Sequence, residues 1–312
     1  MKNSFYYLSK DKRTDIHAVE WRPEGEVKAV LQICHGMAEY IDRYDEFADT
    51  LAEHGYLVVG HDHLGHGQSV QSEEYYGFFE ETKGNELVIG DIRELYLRTR
   101  EQNPQVPYFL LGHSMGSFLV RQYIKTYNDQ LSGVIIMGTG NQPAMALSAG
   151  KLLCRMIAKF KGWKYRSKLV DDMAFGGYNK KFEPARTSKD WLSRDTEVVD
   201  AYIKDPLCSF RFTVNAYYHM FCGMQKLLKM ENIDKIPKKT PILFVSGKED
   251  PVGNFGKSVI KIYETYKNCG IEDVEIKLYE DDRHEILNEI NRQDVYQDLL
   301  KWMQIKIKSQ TP

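Results

Sequence analysis

The sequence predicts an α/β fold: a mostly parallel central sheet with helices on both faces and an inserted, mainly helical cap. Short apolar runs alternate with amphipathic segments over residues 1–140, which is typical of strand–helix–strand units in a parallel sheet. The alternation resumes at about residue 236, after a stretch rich in aromatic residues and methionine. We therefore expect a core built from residues 1–140 and 236–312. Residues 141–235 are expected to form a cap or lid at the edge of the sheet where ligands bind.

The core elements follow from the apolar patterns taken in chain order. Residues 4–8 and 14–21 are separated by a polar turn, which predicts an antiparallel hairpin. Further strands are predicted at residues 27–34, 56–60, 108–111, 131–137, 240–246 and 274–279. Helices are predicted at residues 43–54, 87–99, 255–266 and 294–307, and directly after residue 114.

The composition is that of an ordinary globular protein with one large domain or two. The 312 residues are 42% hydrophobic and 28% charged, and the formal net charge of −2 argues against nucleic acid as a partner. The five cysteines are scattered without a C-x-x-C motif, the N-terminus lacks an apolar signal core, and no apolar run is long enough to span a membrane. We therefore expect a cytoplasmic protein with reduced thiols, and the oligomeric state stays open.

A nucleophile motif lies between a predicted strand and a predicted helix. It consists of Gly112, His113, Ser114, Met115 and Gly116, and it fits G-x-S-x-G. A serine hydroxyl is a weak nucleophile that must be held beside a base. Flanking glycines tolerate a sharp turn, and the N-terminus of the following helix offers free N–H groups to a developing oxyanion. The strand–turn–helix context favours a catalytic serine over a chance match.

The acid and the base are expected later in the chain, because this kind of hydrolase has the order serine, acid, histidine. Asp250 lies in a turn after one late strand, and His284 lies in the loop after the next. We expect His284 to take the proton of Ser114, and Asp250 to orient the imidazole. Asp281 and Asp282 are rival acids that rank lower, because the acid should approach the histidine from another loop.

Two backbone N–H groups are expected to bind the oxyanion. Met115, directly after the nucleophile, provides one of them. Met37, at the end of the loop His35-Gly36-Met37 that follows an early strand, is expected to provide the other. Because both donors are backbone amides, methionine side chains are tolerated at both positions.

Three histidines, His61, His63 and His66, raise the question of a metal site, because imidazoles close in sequence can share zinc. A binuclear zinc hydrolase of the metallo-β-lactamase type has aspartate directly before the last of them, and Gly65 stands there. We therefore predict a hydrogen-bonded loop behind the nucleophile, with no metal and no cofactor.

Five core segments together resemble the monoacylglycerol lipase and lysophospholipase group of α/β-hydrolases. They are HGMAEY with the RY that follows it, GHDHLGHGQS, LLGHSMGS, SGKEDPVG and DRHEILNE. In the insertion, WLSRDTEVVDAYIKDPLC resembles sequences of bacterial members. The resemblance implies the α/β-hydrolase fold, with Ser114 as nucleophile, Asp250 as acid, His284 as base, and Met37 and Met115 as oxyanion donors.

The resemblance also implies hydrolysis of fatty-acid carboxylic esters, most directly monoacylglycerols or lysophospholipids, through an acyl-enzyme on Ser114. Three residues depart from the family pattern. Ala38 and Ser117 stand where glycine is common, and Tyr40 stands where histidine is common. These departures concern the loop geometry and the acyl pocket rather than the chemistry.

The insertion contains a basic amphipathic segment. Its apolar and basic residues recur at helical spacing and are Leu153, Met156, Ile157 and Phe160, and Lys151, Arg155 and Lys159. Such a helix covers an acyl tunnel or a domain core, or lies on an anionic membrane surface. Burial is the commoner case, so we expect the covering role and keep peripheral membrane contact as the alternative.

Other functions stay open on the same fold. A thioesterase, a short-chain carboxylesterase or an aminopeptidase-like amidase would use the same three catalytic residues. An aminopeptidase needs acidic groups in the cap to bind a free amine, and the candidates are Asp171, Asp172, Asp195 and Glu197. A non-catalytic ligand-binding homologue would generally lack one of the three residues. Ser114 argues against dehalogenases and epoxide hydrolases, which use a carboxylate nucleophile.

Overall fold

The computed structural model describes residues 1–127 and 129–310, and this part of the chain contains one eight-stranded sheet. The strands are β1 Lys2–Leu8, β2 Asp15–Trp21, β3 Ala29–Cys34, β4 Tyr56–His61, β5 Tyr108–His113, β6 Gly133–Met137, β7 Ile242–Gly247 and β8 Val274–Tyr279. Their spatial order is β1-β2-β4-β3-β5-β6-β7-β8. β2 pairs antiparallel with β1 and with β4, and all other neighbours are parallel. The predicted hairpin and the mostly parallel sheet are confirmed.

Helices cover the sheet and fill the insertion. They are α1 Asp45–Glu53, α2 Gly84–Gln102, α3 Met115–Thr126, α4 Ala144–Lys161, α5 Lys168–Phe175, α6 Thr196–Lys204, α7 Val214–Leu227, α8 Lys257–Asn268 and α9 Arg292–Gln310. Every predicted core helix is present, with ends that differ by a few residues. α2 begins earlier than predicted because its first residues, Gly84 and Asn85, are weak helix formers that give no sequence signal.

The sheet is buried on both faces because its central strands are apolar throughout. In β5, Tyr108 and Leu110 belong to the core on one face, which α2, α3 and α8 cover. Phe109 and Leu111 belong to the core on the other face, which α1 and α9 cover. Burial of each such side chain contributes about 2 kcal/mol. This rigid double-sided packing fixes the carboxyl ends of the strands, from which the site residues project.

Helices α4 to α7 lie between β6 and β7 in the chain, which agrees with a mainly helical insertion. α4 packs against α7 through a face that includes the buried Leu147, Gly150 and Cys154. A Cβ at Gly150 would come within 2.7 Å of the ring of Phe221, so the small residue lets the two helices approach closely. The division into a core and a cap at residues 140/141 and 235/236 stays a prediction.

The opposite face of α4 exposes large apolar side chains, which we call the α4 stripe. Its members are Met145, Leu152, Met156 and Phe160. The expectation that this helix is covered is correct for Leu153 and Ile157, which pack against the core. It is wrong for Met156 and for Phe160, which is 81% exposed. The reason is that α7 covers only one side of α4, whereas the apolar residues of α4 lie on both sides of the helix. None of the helices in the described part of the chain is long and apolar enough to cross a bilayer.

Candidate active site

Ser114 occupies a sharp turn between β5 and α3. Its φ of 52° and ψ of −118° are backbone angles that residues other than glycine rarely adopt. The turn fits because glycines flank it. A Cβ on Gly116 would collide with the carbonyl oxygen of Cys34, and a Cβ on Gly112 with the carbonyl of Gly116. The N–H of Ser114 donates to the carbonyl of Met137 at 3.0 Å, which ties the strained turn to β6.

The three residues expected to act together lie in contact. His284 Nε2 is 2.8 Å from Ser114 Oγ, and His284 Nδ1 is 3.0 Å from Asp250 Oδ2. The second pair is close, but it is not aligned as a hydrogen bond. Such bonds are often poorly aligned before a substrate binds. Asp250 is fully buried and accepts hydrogen bonds from the N–H of Val252 at 2.8 Å and the hydroxyl of Ser246 at 3.2 Å.

Met37 and Met115 both line the cavity that contains Ser114. Among the described residues, no protein acceptor engages the backbone N–H of either methionine. Met115 is the first residue of α3, so its N–H has no acceptor within the helix. Glu39 Oε1 accepts a hydrogen bond from the N–H of Gly36 at 2.5 Å and so holds the loop before Met37. The role of the two amides as oxyanion donors stays a prediction.

A buried ionic network stands behind this loop. Glu39 lies 3.1 Å from His113 Nδ1 and 2.8 Å from Arg43 Nη1, and Arg43 also binds Glu285. Burial alone would lower the pKa of His113, but the hydrogen bond and charge of Glu39 outweigh it, and the pKa is raised. Burial would raise the pKa of Glu39, but His113 and Arg43 hold it below its usual range. The network thus joins the loop of Met37, the turn of Ser114 and the loop of His284.

The three clustered histidines form a buried group with His35. The N–H of His63 donates to His35 Nε2 at 2.9 Å, and His63 Nε2 lies 3.2 Å from the carbonyl oxygen of His35. His61 Nε2 lies 3.2 Å from His63 Nδ1. Burial lowers the pKa of His61 and that of His66 to about 3, so both rings are neutral near pH 7. The cluster braces the loop that carries Met37. Within the described residues, no group of three or more potential ligands could hold a metal ion.

A segment of the insertion, residues 191–194, is attached to the loop that carries His284, and we call it the strap. The carbonyl of Leu192 accepts a hydrogen bond from the N–H of Glu285 at 2.8 Å. The ring of Trp191 lies 5.1 Å from the imidazole of His284. His284 is therefore packed between the core and a part of the insertion.

The strap also binds one of the two rival acids. Arg194 Nη2 is 2.8 Å from Asp282 Oδ1, and its Nε is 3.0 Å from Glu289 Oε2. Burial, together with the charge of Glu289, raises the pKa of Asp282 to about 6. The side chain of Asp281 is 79% exposed. Asp250 is thus the carboxylate in contact with His284, and Asp282 binds the strap instead.

A cavity of about 500 Å³ opens at Ser114 and His284 and extends among α4, α5 and α7. Its apolar lining includes Phe118, Leu147, Leu153, Phe221, Met224 and Val252. Its charged lining residues are Glu39, Asp171, Asp172, Lys189, Arg211 and Glu285. An apolar cavity of this size with a few polar groups is typical of a small-molecule site.

Two of the four acidic candidates for an amine site reach this cavity. Asp171 and Asp172 line it, but both have partners: Asp171 accepts from the hydroxyl of Tyr217 at 2.6 Å, and Asp172 pairs with Lys168 at 2.6 Å. Asp195 instead caps the N-terminus of α6, and Glu197 lies in the first turn of that helix. The structure thus separates the pair Asp195 and Glu197 from the cavity.

Comparison with known proteins shows the family of this chain. A family model described as serine aminopeptidase, S33, matches residues 25–291. The chain belongs to this family. A monoglyceride lipase of Mus musculus is 29% identical over 277 residues, which cover 86% of this chain and 80% of that protein. A monoacylglycerol lipase of Mycolicibacterium smegmatis is 26% identical over 284 residues, which cover 91% and 90%.

Among solved structures, a highly thermostable carboxyl esterase from Bacillus coagulans in complex with glycerol is similar over nearly its whole length. It is 26% identical and superimposes with a TM-score of 0.91 over 98% of this chain and 99% of that chain. The family membership and these relatives confirm the α/β-hydrolase fold and the resemblance to the monoacylglycerol lipase group. This member of the family is a serine hydrolase of the carboxylic ester class.

Sequence reasoning missed several residues that hold the site in this family member. Glu39 and Glu285 lie inside the segments HGMAEY and DRHEILNE, so their position beside motif residues was an available signal. Arg43 offers a similar signal, because it lies one helical turn after Glu39. Trp191 opens the segment WLSRDTEVVDAYIKDPLC, but the segment does not indicate its partner, since the contact with His284 joins residues far apart in the chain.

Proposed function

We propose that this protein hydrolyses carboxylic esters of fatty acids, with monoacylglycerols or lysophospholipids as substrates. Ser114 is the nucleophile, His284 the general base and Asp250 the acid of the triad. The observation that carries the proposal is the 2.8 Å contact between Ser114 Oγ and His284 Nε2 at an apolar cavity of about 500 Å³. The relatives named as lipases and the structural neighbour named as a carboxyl esterase support the same chemistry.

The reaction proceeds through an acyl-enzyme. His284 Nε2 accepts the hydroxyl proton of Ser114 while Oγ attacks the ester carbonyl, and Asp250 stabilises the imidazolium. The imidazolium then gives its proton to the leaving alkoxide, so that the alcohol departs and the acyl group stays on Ser114. Water next gives a proton to His284 and attacks the acyl carbonyl. The fatty acid leaves, and Ser114 recovers its proton.

The tetrahedral oxyanion is bound by the backbone N–H groups of Met37 and Met115. Loss of one such donor typically costs about 3 kcal/mol of transition-state stabilisation. Glu39 and the histidine cluster hold the loop of Met37 before the substrate arrives. The donors therefore need little rearrangement during the reaction, which is the condition under which they stabilise charge most effectively.

The acyl chain fits the apolar part of the cavity. Leu153 of α4 and Phe221 and Met224 of α7 line this part. Methionine and phenylalanine give an adaptable apolar wall, which suits a flexible hydrocarbon chain better than a rigid polar ligand. The fatty-acid part of the proposal rests on this lining.

We also propose that the α4 stripe rests on the surface of a lipid bilayer or micelle. Phe160 and Met145 are 81% and 83% exposed, and the basic residues Arg155, Lys159 and Lys161 are exposed on the same helix. An apolar stripe flanked by cations binds an anionic lipid surface through both kinds of contact. This contact would bring the cavity close to its lipid substrate.

An aminopeptidase-like activity is the second candidate, because the family model carries that description. It requires a carboxylate in the cavity that is free to bind a substrate ammonium group. Asp171 and Asp172 are the carboxylates from the insertion that line the cavity, and Tyr217 and Lys168 already engage them. The geometry therefore favours the ester substrate.

The test is hydrolysis of p-nitrophenyl esters from acetate to laurate by the wild type and by Ser114→Ala. We expect activity that rises towards the longer acyl chains and falls by about 10⁴-fold or more in the variant. Ser148→Ala is the matched control, because Ser148 is an exposed serine of α4 that does not line the cavity. It should retain wild-type rates.

Other outcomes would redirect the proposal. A preference for acetate or butyrate would identify a short-chain esterase. Faster cleavage of aminoacyl p-nitroanilides than of any ester would identify an aminopeptidase. Equal activity of the wild type and Ser114→Ala would remove Ser114 from the mechanism.

A further inference from the structure

We propose that Lys189 forms an anion subsite on the alcohol side of the cavity, so that the preferred esters carry a phosphate or carboxylate on the alcohol. This inference rests on the proposed ester hydrolysis and adds to it a substrate class and a specificity-determining residue. The ester would be a fatty-acid ester of a phosphorylated or carboxylated polyol, rather than one of a neutral alcohol.

Lys189 lies beside the ring of Tyr202. The hydroxyl of Tyr202 donates to the carbonyl of Ala38 at 3.0 Å, so its ring lies against the loop that carries Met37. Lys189 Nζ lies 5.8 Å from the centroid of that ring. The ammonium group therefore lies near the loop where the reacting carbonyl would be bound, and Lys189 lines the cavity.

The alcohol of the substrate must lie on the same side. His284 Nε2 has to reach the leaving oxygen in order to protonate it, so the alcohol lies beside the loop of His284. Lys189 precedes Trp191 by two residues, and the ring of Trp191 packs 5.1 Å from His284. The apolar lining from α4 and α7 is left for the acyl chain.

Lys189 is a cation without a counterion. Among the described residues, no carboxylate oxygen lies within 4.0 Å of its Nζ, and its one close partner is the face of Tyr202. Burial lowers the pKa of Lys189, and the charges of Asp171 and Glu285 offset this effect only in part. A partly buried ammonium of this kind gains free energy when an anion binds beside it.

The carboxylates that face the cavity are already occupied. Arg43 binds both Glu39 and Glu285. Asp171 accepts from the hydroxyl of Tyr217, and Asp172 pairs with Lys168. None of these four is placed to neutralise Lys189 closely, although the charges of Asp171 and Glu285 act on it through space.

Arg211 adds a second positive charge to the same region. The N–H of Ser209 donates to the carbonyl of Ala38 at 3.2 Å, which ties the segment before Arg211 to the same loop as Tyr202. Arg211 Nε lies 3.7 Å from Asp171 Oδ2 and makes no hydrogen bond, so this pair is loose. An anion in the cavity would thus contact Lys189, and the positive charge of Arg211 would strengthen the electrostatic attraction.

The test compares two short, water-soluble esters that differ only in charge. These are 1-hexanoylglycerol and 1-hexanoylglycerol 3-phosphate, and the measurement is kcat/KM for each. We expect the wild type to prefer the phosphate ester. Lys189→Met should lower kcat/KM for this ester about tenfold or more, while the value for the neutral ester changes less than about twofold. Lys189→Arg should keep most of the preference.

Lys180→Met is the matched control, because Lys180 is an exposed lysine of the same insertion and does not line the cavity. It should leave both values unchanged. The subsite is wrong if Lys189→Met lowers both values equally, or if the wild type shows no preference. A hexanoyl ester with a carboxylate in place of the phosphate shows whether the subsite selects phosphate or any anion.

A binding measurement separates the subsite from the proposed hydrolysis. Glycerol 3-phosphate should bind the wild type in calorimetry and bind Lys189→Met about tenfold more weakly. If the wild type hydrolyses no ester but shows this difference, the proposed function fails and the anion subsite stands. If it hydrolyses esters but binds glycerol 3-phosphate no better than Lys189→Met does, the subsite fails alone.

Discussion

At the scale of single residues, the site depends on how closely two backbones approach. Gly116 lies against the carbonyl oxygens of Cys34 and His35, and a Cβ there would lie 2.6 Å from the second of them. The loop after Cys34 can reach the nucleophile turn only because residue 116 has no side chain. Ser114 adopts a backbone conformation unusual for its type, and the surrounding packing must hold it there.

Gly116→Ala should therefore lower both stability and activity. We expect a loss of at least about 2 kcal/mol in the free energy of unfolding, since backbone atoms rather than a flexible side chain meet the new methyl group. Denaturant unfolding measures it. Gly177→Ala is the control, because a Cβ at Gly177 meets nothing within 4 Å. An equal effect of the two substitutions would contradict the packing argument.

At the scale of elements, we expect the strap to determine the position of His284, the proposed general base. Arg194→Met should leave Asp282 and Glu289 buried without their cation and loosen the loop of His284. We expect kcat to fall about tenfold to a hundredfold, because small displacements of a catalytic group are costly. Hydrogen exchange should increase in residues 190–195 and 282–289.

Arg186→Met provides the comparison for the strap, since Arg186 is an exposed arginine of the same insertion that pairs with Asp200. It should change neither kcat nor exchange in these segments. If Arg194→Met kept the wild-type kcat while its exchange increased, the strap would stabilise the loop without positioning His284.

The sequence predicts the core elements well because the central strands are continuous apolar runs and the core helices are amphipathic towards one sheet. It does not predict α5, α6 and α7 individually. Their apolar residues face a cavity and solvent as well as the core, so these residues do not recur at the regular helical spacing.

The motifs predict which site residues meet, since each follows a strand that ends at the same sheet edge. The binding of Arg43 to Glu285 across the chain has no local signature.

At the scale of the whole molecule, the α4 stripe predicts how the protein meets lipid. Phe160→Glu should weaken binding to anionic phosphatidylglycerol vesicles about 30-fold, because burial of a phenylalanine contributes about 2 kcal/mol. Cosedimentation measures the binding. Hydrolysis of a soluble ester should not change.

Leu97→Glu is the control for this experiment, because Leu97 is an exposed apolar residue of α2. It should leave vesicle binding as it is. Equal weakening by both substitutions would indicate a general effect of negative charge and would argue against docking through α4.

The pH dependence of stability should contain a contribution from Asp91, which lies in α2. Asp91 is fully buried and accepts hydrogen bonds from Ser9 and Lys10, and burial raises its pKa to about 7. Because the folded pKa lies above the unfolded one, this group's contribution to stability is present at low pH and is lost as pH rises through about 7.

The melting temperature of the wild type should therefore fall more steeply from about pH 5 to about pH 8 than that of Asp91→Asn, by about 2 °C or more. The difference between the two curves isolates Asp91 from other titrating groups. Asp49→Asn, at an exposed position of α1, should follow the wild-type curve. Parallel curves for all three proteins would contradict the raised pKa.

The strap has a consequence for attempts to exchange the insertion between relatives. By chain order, residues 191–194 belong to the insertion, but by their contacts they belong to the loop of His284. A chimera whose crossover points remove residues 191–194 would replace them with the residues of the relative. Those residues would then contact His284, in addition to forming the new pocket. An exchange of the insertion in this protein should therefore either keep the native strap or transfer the loop of His284 together with the insertion.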